Sequence, residues 1–120
     1  FKPFGYRIFT WEHRNWEAID LDRKRLELAR ALATDPKLLL LDEIAGGLTE
    51  AEVLDLLEEI RKLRQTGVTI VWIEHIVHAL VSVAKRLIVI DFGQLLADGD
   101  PREVMADARV QEVYMGIPAS

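Results

Sequence analysis

A run of four leucines constrains the fold of this 120-residue chain more than any other feature. Residues Leu38–Leu41 are uninterrupted apolar positions, which predicts a short strand buried on both faces. Segments with the apolar spacing of helices precede and follow this run. Buried strands that alternate with helices are typical of an α/β fold. We therefore predict a parallel sheet whose strands are connected by crossover helices.

The helix before this strand is predicted over residues 21–34, and Asp35-Pro36 ends it because the residue before a proline disfavours helical angles. Its apolar face is predicted to carry leucines, and its basic residues are placed largely off that face. The two sets are Leu21, Leu28 and Leu32 on the face, and Arg23, Lys24 and Arg30 off it. The basic run 23–25 is therefore interpreted as a solvated helix surface rather than a nucleic-acid contact.

Thr49 and Glu52 form the T-x-x-E pattern of a capping box, which predicts that the second long helix begins there. Gly67 is predicted to end this helix. Alternating apolar positions, turn residues and caps predict strands at 68–73, 86–91 and 94–97, and helices at 76–84, from 100 onward and at 110–115. The strand at 86–91 is predicted to be the third strand of the parallel sheet and to form a hairpin with the next one.

Composition excludes several classes of protein. With 15 basic and 20 acidic residues, the chain has a net charge of −5, which disfavours electrostatic binding to nucleic acid. It contains no cysteine, so disulfides and thiolate metal sites are excluded. No apolar run approaches the ~18 residues that a membrane-spanning helix needs.

Residues 1–20 differ from the remainder, and we treat them as an atypical aromatic-rich segment ahead of the domain formed by residues 21–120. Six of the nine aromatic residues lie in the first 16 positions, without a helical or strand period. This pattern favours a partly ordered arm. The chain begins with Phe1 and its first methionine is Met105, so we expect it to be a piece of a longer chain.

Polar residues follow two of the predicted strands. Asp42-Glu43 comes directly after the leucine run, and Glu74-His75 comes after the strand at 68–73. The carboxyl ends of parallel strands border the ligand crevice of an open α/β sheet, so we expect three carboxylates and an imidazole to converge there. An anionic ligand at such an acidic edge needs a cation, and Mg²⁺ suits both carboxylate and phosphate oxygens.

An apolar strand followed by Asp-Glu is also the Walker B pattern of ATPases. On this interpretation Asp42 holds Mg²⁺ through a water, and Glu43 positions the water that attacks the γ-phosphorus. His75 hydrogen-bonds the γ-phosphate. The structural alternatives are that Asp-Glu merely leaves a buried strand for a polar loop, and that His75 is a surface residue at a helix start. A zinc site built on His75 and His78 lacks a third ligand.

In order and spacing, residues 22–116 resemble the nucleotide-binding subunits of ABC transporters, and they are most similar to those of branched-chain amino-acid importers. The resemblance is carried by RKRLELARAL (23–32), PKLLLLDE (36–43), AGGLT (45–49), TIVWIEH (69–75), IVIDFG (88–93), DGDP (98–101) and VYMG (113–116). It implies the C-terminal half of an ABC-type P-loop ATPase domain, with a small β-hairpin and helices at its C-terminal end.

The resemblance also implies site residues, cofactors and partners. It identifies Glu43 and His75 as catalytic residues, Asp42, Gly46, Gly47 and Thr49 as cofactor-binding residues, and Asp42 as the magnesium ligand. The implied cofactors are ATP and Mg²⁺. The implied partners are transmembrane permease subunits and a second ATPase subunit, at the cytoplasmic face of the cell membrane.

The chain departs from this family at several places. The phosphate-binding loop G-x-x-x-x-G-K-[ST] does not occur in the sequence, and neither does the glutamine loop that follows it. Residues 18–22 (AIDLD) stand where the family has a Ser/Gly-rich signature segment, and their acidic side chains repel phosphate. Smaller departures are Ile44, Thr49 and Ile76. We therefore predict that the 120-residue chain alone neither binds ATP tightly nor hydrolyses it.

Three interpretations of function remain open. The first is part of the ATPase subunit of an importer, and the second is a truncated or degenerate relative that acts only as an interaction module. The third is an ABC-type ATPase of DNA repair or translation, which the acidic charge disfavours. Because flanking strands of the sheet are missing, we expect an apolar edge that self-associates or is rebuilt by the aromatic N-terminal segment.

Overall fold

The computed structural model describes residues 21–116 and the backbone of residues 6–10. The chain divides into two compact units, Phe1–Ala79 and Leu80–Ser120. The elements are β1 (Tyr6–Thr10), α1 (Leu21–Leu32), β2 (Leu38–Asp42), α2 (Glu50–Gln65), β3 (Thr69–Ile73), α3 (Val77–Val83), β4 (Leu87–Asp91), β5 (Gln94–Gly99), α4 (Pro101–Ala106) and α5 (Ala108–Met115). The predicted α/β fold class is confirmed, and the predicted ends of elements after residue 20 differ from the observed ones by no more than two residues. Strand β1 was not predicted from the sequence pattern.

The first unit contains a three-stranded parallel sheet in the order β1-β2-β3. Helix α2 makes the connection from β2 to β3, as parallel pairing requires. The expectation that the aromatic N-terminal segment rebuilds the apolar edge is confirmed, because β1 lies in that segment and pairs with β2. The rest of that segment, residues 1–5 and 11–20, lies outside the described residues.

The central strand supplies the middle of the first unit's core. Leu39 and Leu41 are 0% and 1% exposed, which places both on the more deeply covered face of β2. Leucine is a weak strand former, so neighbouring strands rather than intrinsic preference determine this conformation. One face of α2 contributes four further buried side chains: Val53, Leu56, Leu57 and Ile60.

The prediction that the strand at 86–91 joins the parallel sheet is wrong for the described residues. Strand β4 pairs antiparallel with β5 in a separate two-stranded sheet, with an irregularity between Val89 and Ile90. Leu87 and Val89 are buried while Ile88 and Ile90 are exposed. This strict alternation suits a hairpin with one covered face, whereas a central parallel strand is covered on both.

The second unit has its own small core under the β4–β5 hairpin. Its buried members are Leu87, Val89, Val104 and Val110. Asp100 caps α4 by accepting hydrogen bonds from the backbone N–H groups of Arg102 and Glu103, as the sequence predicted. Within residues 21–116, no helix is long and apolar enough to cross a membrane.

Candidate functional site

The ends of β2 and β3 meet at one edge of the parallel sheet, as the sequence predicted. Asp42 pairs with Ile73 in the register of the two strands. The backbone N–H of Glu43 donates to the carbonyl oxygen of Ile73 over 2.8 Å, which extends the pairing one residue beyond β2. Asp42 and Glu43 are both exposed at this edge, so their carboxylates are accessible to a ligand.

Glu43 turns the chain sharply away from the strand. Its φ angle is +49°, in the left-handed region that non-glycine residues rarely adopt. Such a conformation costs about 1–3 kcal/mol and persists where the surroundings hold it in place, often at functional sites. The hydrogen bond to Ile73 is one contact that holds it.

His75 lies beside Glu43. Its Nδ1 atom is 3.8 Å from Oε1 of Glu43 and 3.2 Å from Oε1 of Glu74. The imidazole is 68% exposed, so the ring reaches solvent although one of its nitrogens faces carboxylates. Because Nδ1 is engaged there, Nε2 is the ring atom available for a ligand.

Glu74 does not line the open edge, which corrects the expectation of three converging carboxylates. Its side chain is 0% exposed. Oε2 accepts a hydrogen bond from the backbone N–H of Ala45 over 3.0 Å, and Oε1 accepts from the backbone N–H of His75 over 3.0 Å. A buried carboxylate needs such donors, and Glu74 therefore supports the loop instead of facing a ligand.

The predicted cofactor-binding residues Gly46, Gly47 and Thr49 follow Glu43 in a short turn. Gly47 has a φ angle of +78°, which glycine adopts at no steric cost. Thr49 is the N-cap of α2: its side chain accepts from the N–H of Glu52, and the Glu52 carboxylate accepts from the N–H of Thr49. The Thr49 hydroxyl thus has a structural role, and the cofactor roles of all three residues stay predictions.

Lys24 overturns the expectation that the basic run of α1 is solvated. Its side chain is 1% exposed, and its Nζ donates to the carbonyl oxygens of Ile44 and Gly46. Burial lowers its pKa from an ordinary 10.5 to about 8, and the nearby carboxylates of Glu74 and Glu52 oppose that change. Lys24 is therefore still largely protonated at neutral pH.

The signal for this burial was present in the sequence. Leu21, Lys24, Leu28 and Ala31 follow i, i+3, i+7, i+10 spacing and are all buried, so they form one face of α1. Leu32, which we predicted on this face, is only half-buried. The spacing of Lys24 places it on this buried face, but its charge favoured the prediction that it lies in solvent.

The lowered pKa of Lys24 predicts a stability that increases with pH. Between pH 8 and 10.5 the unfolded chain keeps a proton that the folded chain has released, so deprotonation favours the folded state. We expect the free energy of unfolding in urea to rise by about 2 kcal/mol from pH 7 to 10, relative to the Lys24→Met variant. Equal pH dependence in the two proteins would contradict this assignment.

The edge suits Mg²⁺ only if phosphate and water complete its coordination. Asp42 presents carboxylate oxygens, which are the hard ligands that Mg²⁺ prefers. Among residues 21–116, no three His, Asp or Glu side chains form a group able to hold a metal ion by themselves. The donor set therefore fits an ion that keeps several waters and binds phosphate, as Mg²⁺ commonly does.

Known proteins of one family resemble this chain in sequence. A sequence profile of the family described as branched-chain amino acid ATP-binding cassette transporter matches residues 94–119. The lipopolysaccharide export system ATP-binding protein LptB of Escherichia coli strain K12 is 38% identical over 95 residues, 79% of this chain and 39% of that protein. The high-affinity branched-chain amino acid transport ATP-binding protein LivG of Salmonella typhimurium is 39% identical over 114 residues, 92% of this chain and 45% of that protein.

A solved structure of an ATP-binding cassette also resembles this chain. The ADP conformation of MJ1267, an ATP-binding cassette of an ABC transporter, matches with a TM-score of 0.74 and 30% identity. The match covers 84% of this chain and 41% of that one. The chain thus spans less than half the length of the curated relatives named above.

Proposed function

Because the chain belongs to the ATP-binding cassette family of ABC transporters, we propose that it supplies the hydrolytic edge of an ATP-binding subunit. The observation that carries the proposal is the juxtaposition of Glu43 and His75, with Nδ1 3.8 Å from Oε1, at the ends of two adjacent parallel strands. Exposed Asp42 lies at the same edge. ATP hydrolysis needs a carboxylate that binds Mg²⁺, a second carboxylate that positions water and a group such as imidazole that contacts phosphate.

Each of the three side chains has one proposed task. Asp42 would hold Mg²⁺ through a water, and the ion would supply positive charge to the phosphate oxygens of bound ATP. Glu43 orients the attacking water and accepts its proton. His75 contacts the γ-phosphate through Nε2, while its Nδ1 stays beside Glu43 and Glu74. Gly46, Gly47 and Thr49 form the loop that we propose meets the bound nucleotide.

We further propose that the whole subunit drives import of branched-chain amino acids. The matching profile over residues 94–119 and the resemblance to the Salmonella protein support this cargo. Similarity to the lipopolysaccharide export protein supports the alternative of an exporter. The proposed partners are transmembrane permease subunits and a second ATPase subunit, and the proposed location is the cytoplasmic face of the membrane.

A chimeric cassette tests the hydrolytic role and the cargo together. The upstream part of the Salmonella protein, through its signature segment, is joined to this chain at Arg23, the residue that follows the position of that segment. We expect the purified chimera to hydrolyse ATP, and to restore branched-chain amino-acid uptake to a strain that lacks the Salmonella protein. Rescue of a strain lacking the lipopolysaccharide export protein instead would assign the exporter type.

The chain alone is expected to be inactive. It contains no phosphate-binding loop, so the backbone amides and the lysine that hold ATP phosphates are missing from it. We expect no Mg²⁺-dependent phosphate release from the purified 120-residue chain above the level of its Glu43→Gln variant. Turnover by the unmodified chain that the variant abolishes would overturn this prediction.

A non-catalytic interaction module is the second candidate. The observation in its favour is Asp20 and Asp22, which stand where the family's glycine-rich signature approaches phosphate. A second chimera keeps Asp20 and Asp22 in place of the Salmonella signature residues. If it folds and associates normally but is inactive, while the first chimera is active, the result would support this candidate for the natural chain.

A further inference from the structure

The loop that follows Glu43 is held by side chains from two other parts of the first unit. Ile44 and Ala45 are 1% and 0% exposed, so the first part of the loop lies in the interior although it follows an exposed residue. Lys24, from α1, donates to the carbonyl oxygens of Ile44 and Gly46. Glu74, from the end of β3, accepts from the N–H of Ala45. Three consecutive residues of the loop are thus fixed by two buried charges of opposite sign.

Stability alone is a weak reason for this arrangement. Removing a buried ammonium and a buried carboxylate from water costs several kcal/mol per ion, and their mutual attraction often does no more than offset that cost. Apolar side chains of similar size frequently stabilise a fold as much or more. The benefit of Lys24 and Glu74 therefore has to come from the geometry that they impose on the backbone.

That geometry concerns the two proposed catalytic groups. Glu43 immediately precedes the loop, and its strained φ of +49° depends on the path of the chain on either side. His75 immediately follows Glu74, and its backbone N–H donates to the same carboxylate that holds Ala45. A shift of the loop consequently moves Glu43 and the Glu74 carboxylate relative to His75.

We propose that Lys24 is a positioning residue: with Glu74 it holds the Ile44–Gly46 loop from both sides and so fixes Glu43 relative to His75. The importance of Glu43 and His75 rests on the proposed function. The clamp, by which we mean the hydrogen bonds of the Lys24 and Glu74 side chains to the Ile44–Gly46 loop, does not depend on it. The contacts of Lys24 that carry the proposal are those of Nζ with the backbone carbonyl oxygens of Ile44 and Gly46. Its lowered pKa is a consequence of the same confinement.

The clamp is tested by amide hydrogen exchange in the 120-residue chain, which needs no nucleotide. In Lys24→Met, which keeps most of the length of the side chain and removes its donors, we expect exchange of the Ala45 and Glu43 amides to accelerate by about tenfold. The amides of Thr69, at the opposite end of β3, and Val53, in α2, serve as internal references and should stay unchanged. Arg23→Met, an exposed neighbour in α1, is the matched control and should change none of them.

Chemical rescue separates positioning from general stability. The chain has no cysteine, so Lys24→Cys introduces a single thiol that 2-bromoethylamine converts, in denaturant, into a side chain with the length and ammonium group of lysine. After refolding, we expect this group to restore slow exchange at Ala45 and Glu43, whereas the unmodified variant stays fast. Wild-type chain taken through the same denaturation and refolding is the control.

Two outcomes would overturn the proposal. One is equal acceleration at Ala45, Thr69 and Val53, which would make Lys24 a general stabilising residue. The other is unchanged exchange at Ala45 in Lys24→Met. If that variant does not fold, Glu74→Gln decides the matter, because it removes the buried charge and keeps the shape: we expect faster exchange at Ala45 and His75, and unchanged rates would reject the clamp. Since no readout involves ATP, an inactive chimera leaves this result intact.

Discussion

Replacing Glu43 with glutamine in the chimeric cassette is expected to reduce ATP turnover by about 10²–10⁴-fold, the usual contribution of a positioned general base. Glutamine keeps the size of the side chain and can still hydrogen-bond a water, but it cannot accept the proton. Binding of ATP should survive, since the charge that is removed would otherwise repel the phosphates. Steady-state phosphate release and nucleotide affinity, measured on the same preparation, separate the two effects.

The matched control for this substitution is Glu58→Gln. Glu58 is an exposed residue of α2 whose carboxylate lies 3.7 Å from Arg61, within the same helix. We expect turnover of this variant within about twofold of the unmodified chimera, because exposed ion pairs contribute little. An equal loss of turnover in both variants, or none in Glu43→Gln, would remove Glu43 from the proposed mechanism.

Truncating Leu41 to alanine is expected to lower the free energy of unfolding by about 2–5 kcal/mol. Leu41 is 1% exposed in the central strand of the sheet, so the truncation leaves a cavity that the strands on both sides cannot easily fill. A loss of this size is a large share of the stability of a typical small domain. Urea unfolding followed by far-ultraviolet circular dichroism measures it.

The same chemical change at an exposed position isolates the effect of burial. Leu54 of α2 is 65% exposed, so Leu54→Ala should change the free energy of unfolding by no more than about 0.5 kcal/mol. If both variants lose the same stability, the core of the first unit is not centred on β2. If neither loses any, β2 is not packed as the structure describes.

The identity and order of the elements could be predicted because their signals are local. A leucine run, a T-x-x-E box and an Asp-Pro-x-x cap each determine the conformation of a few neighbouring residues, and α2 and α4 begin where these caps predicted. The proximity of Glu43 to His75 was also predictable, since the ends of adjacent parallel strands lie at one edge. Their chemical roles in hydrolysis remain a proposal that the chimera tests.

The failures of prediction concern partners that are distant in sequence. Strand β4 forms the predicted hairpin with β5, but its β-branched composition does not state whether it also pairs with the more distant strands of the parallel sheet, and for the described residues it does not. Lys24 was placed in solvent because a lysine is rarely buried. Its actual partners lie 20 and 22 residues further along the chain.

The sequence by itself determined the alternation of strands and helices and the edge at which Asp42, Glu43 and His75 are presented. Only the tertiary structure decided that Lys24 and Glu74 turn inward and hold the loop between them. The physical reason is that apolar spacing specifies which face of a helix or strand is covered. Whether a charge on such a face is tolerated depends on donors and acceptors that other segments bring to it. Here those groups are the carbonyls of Ile44 and Gly46 and the N–H of Ala45. Nearly every residue carries such backbone groups, so the sequence does not indicate which of them will meet a buried charge.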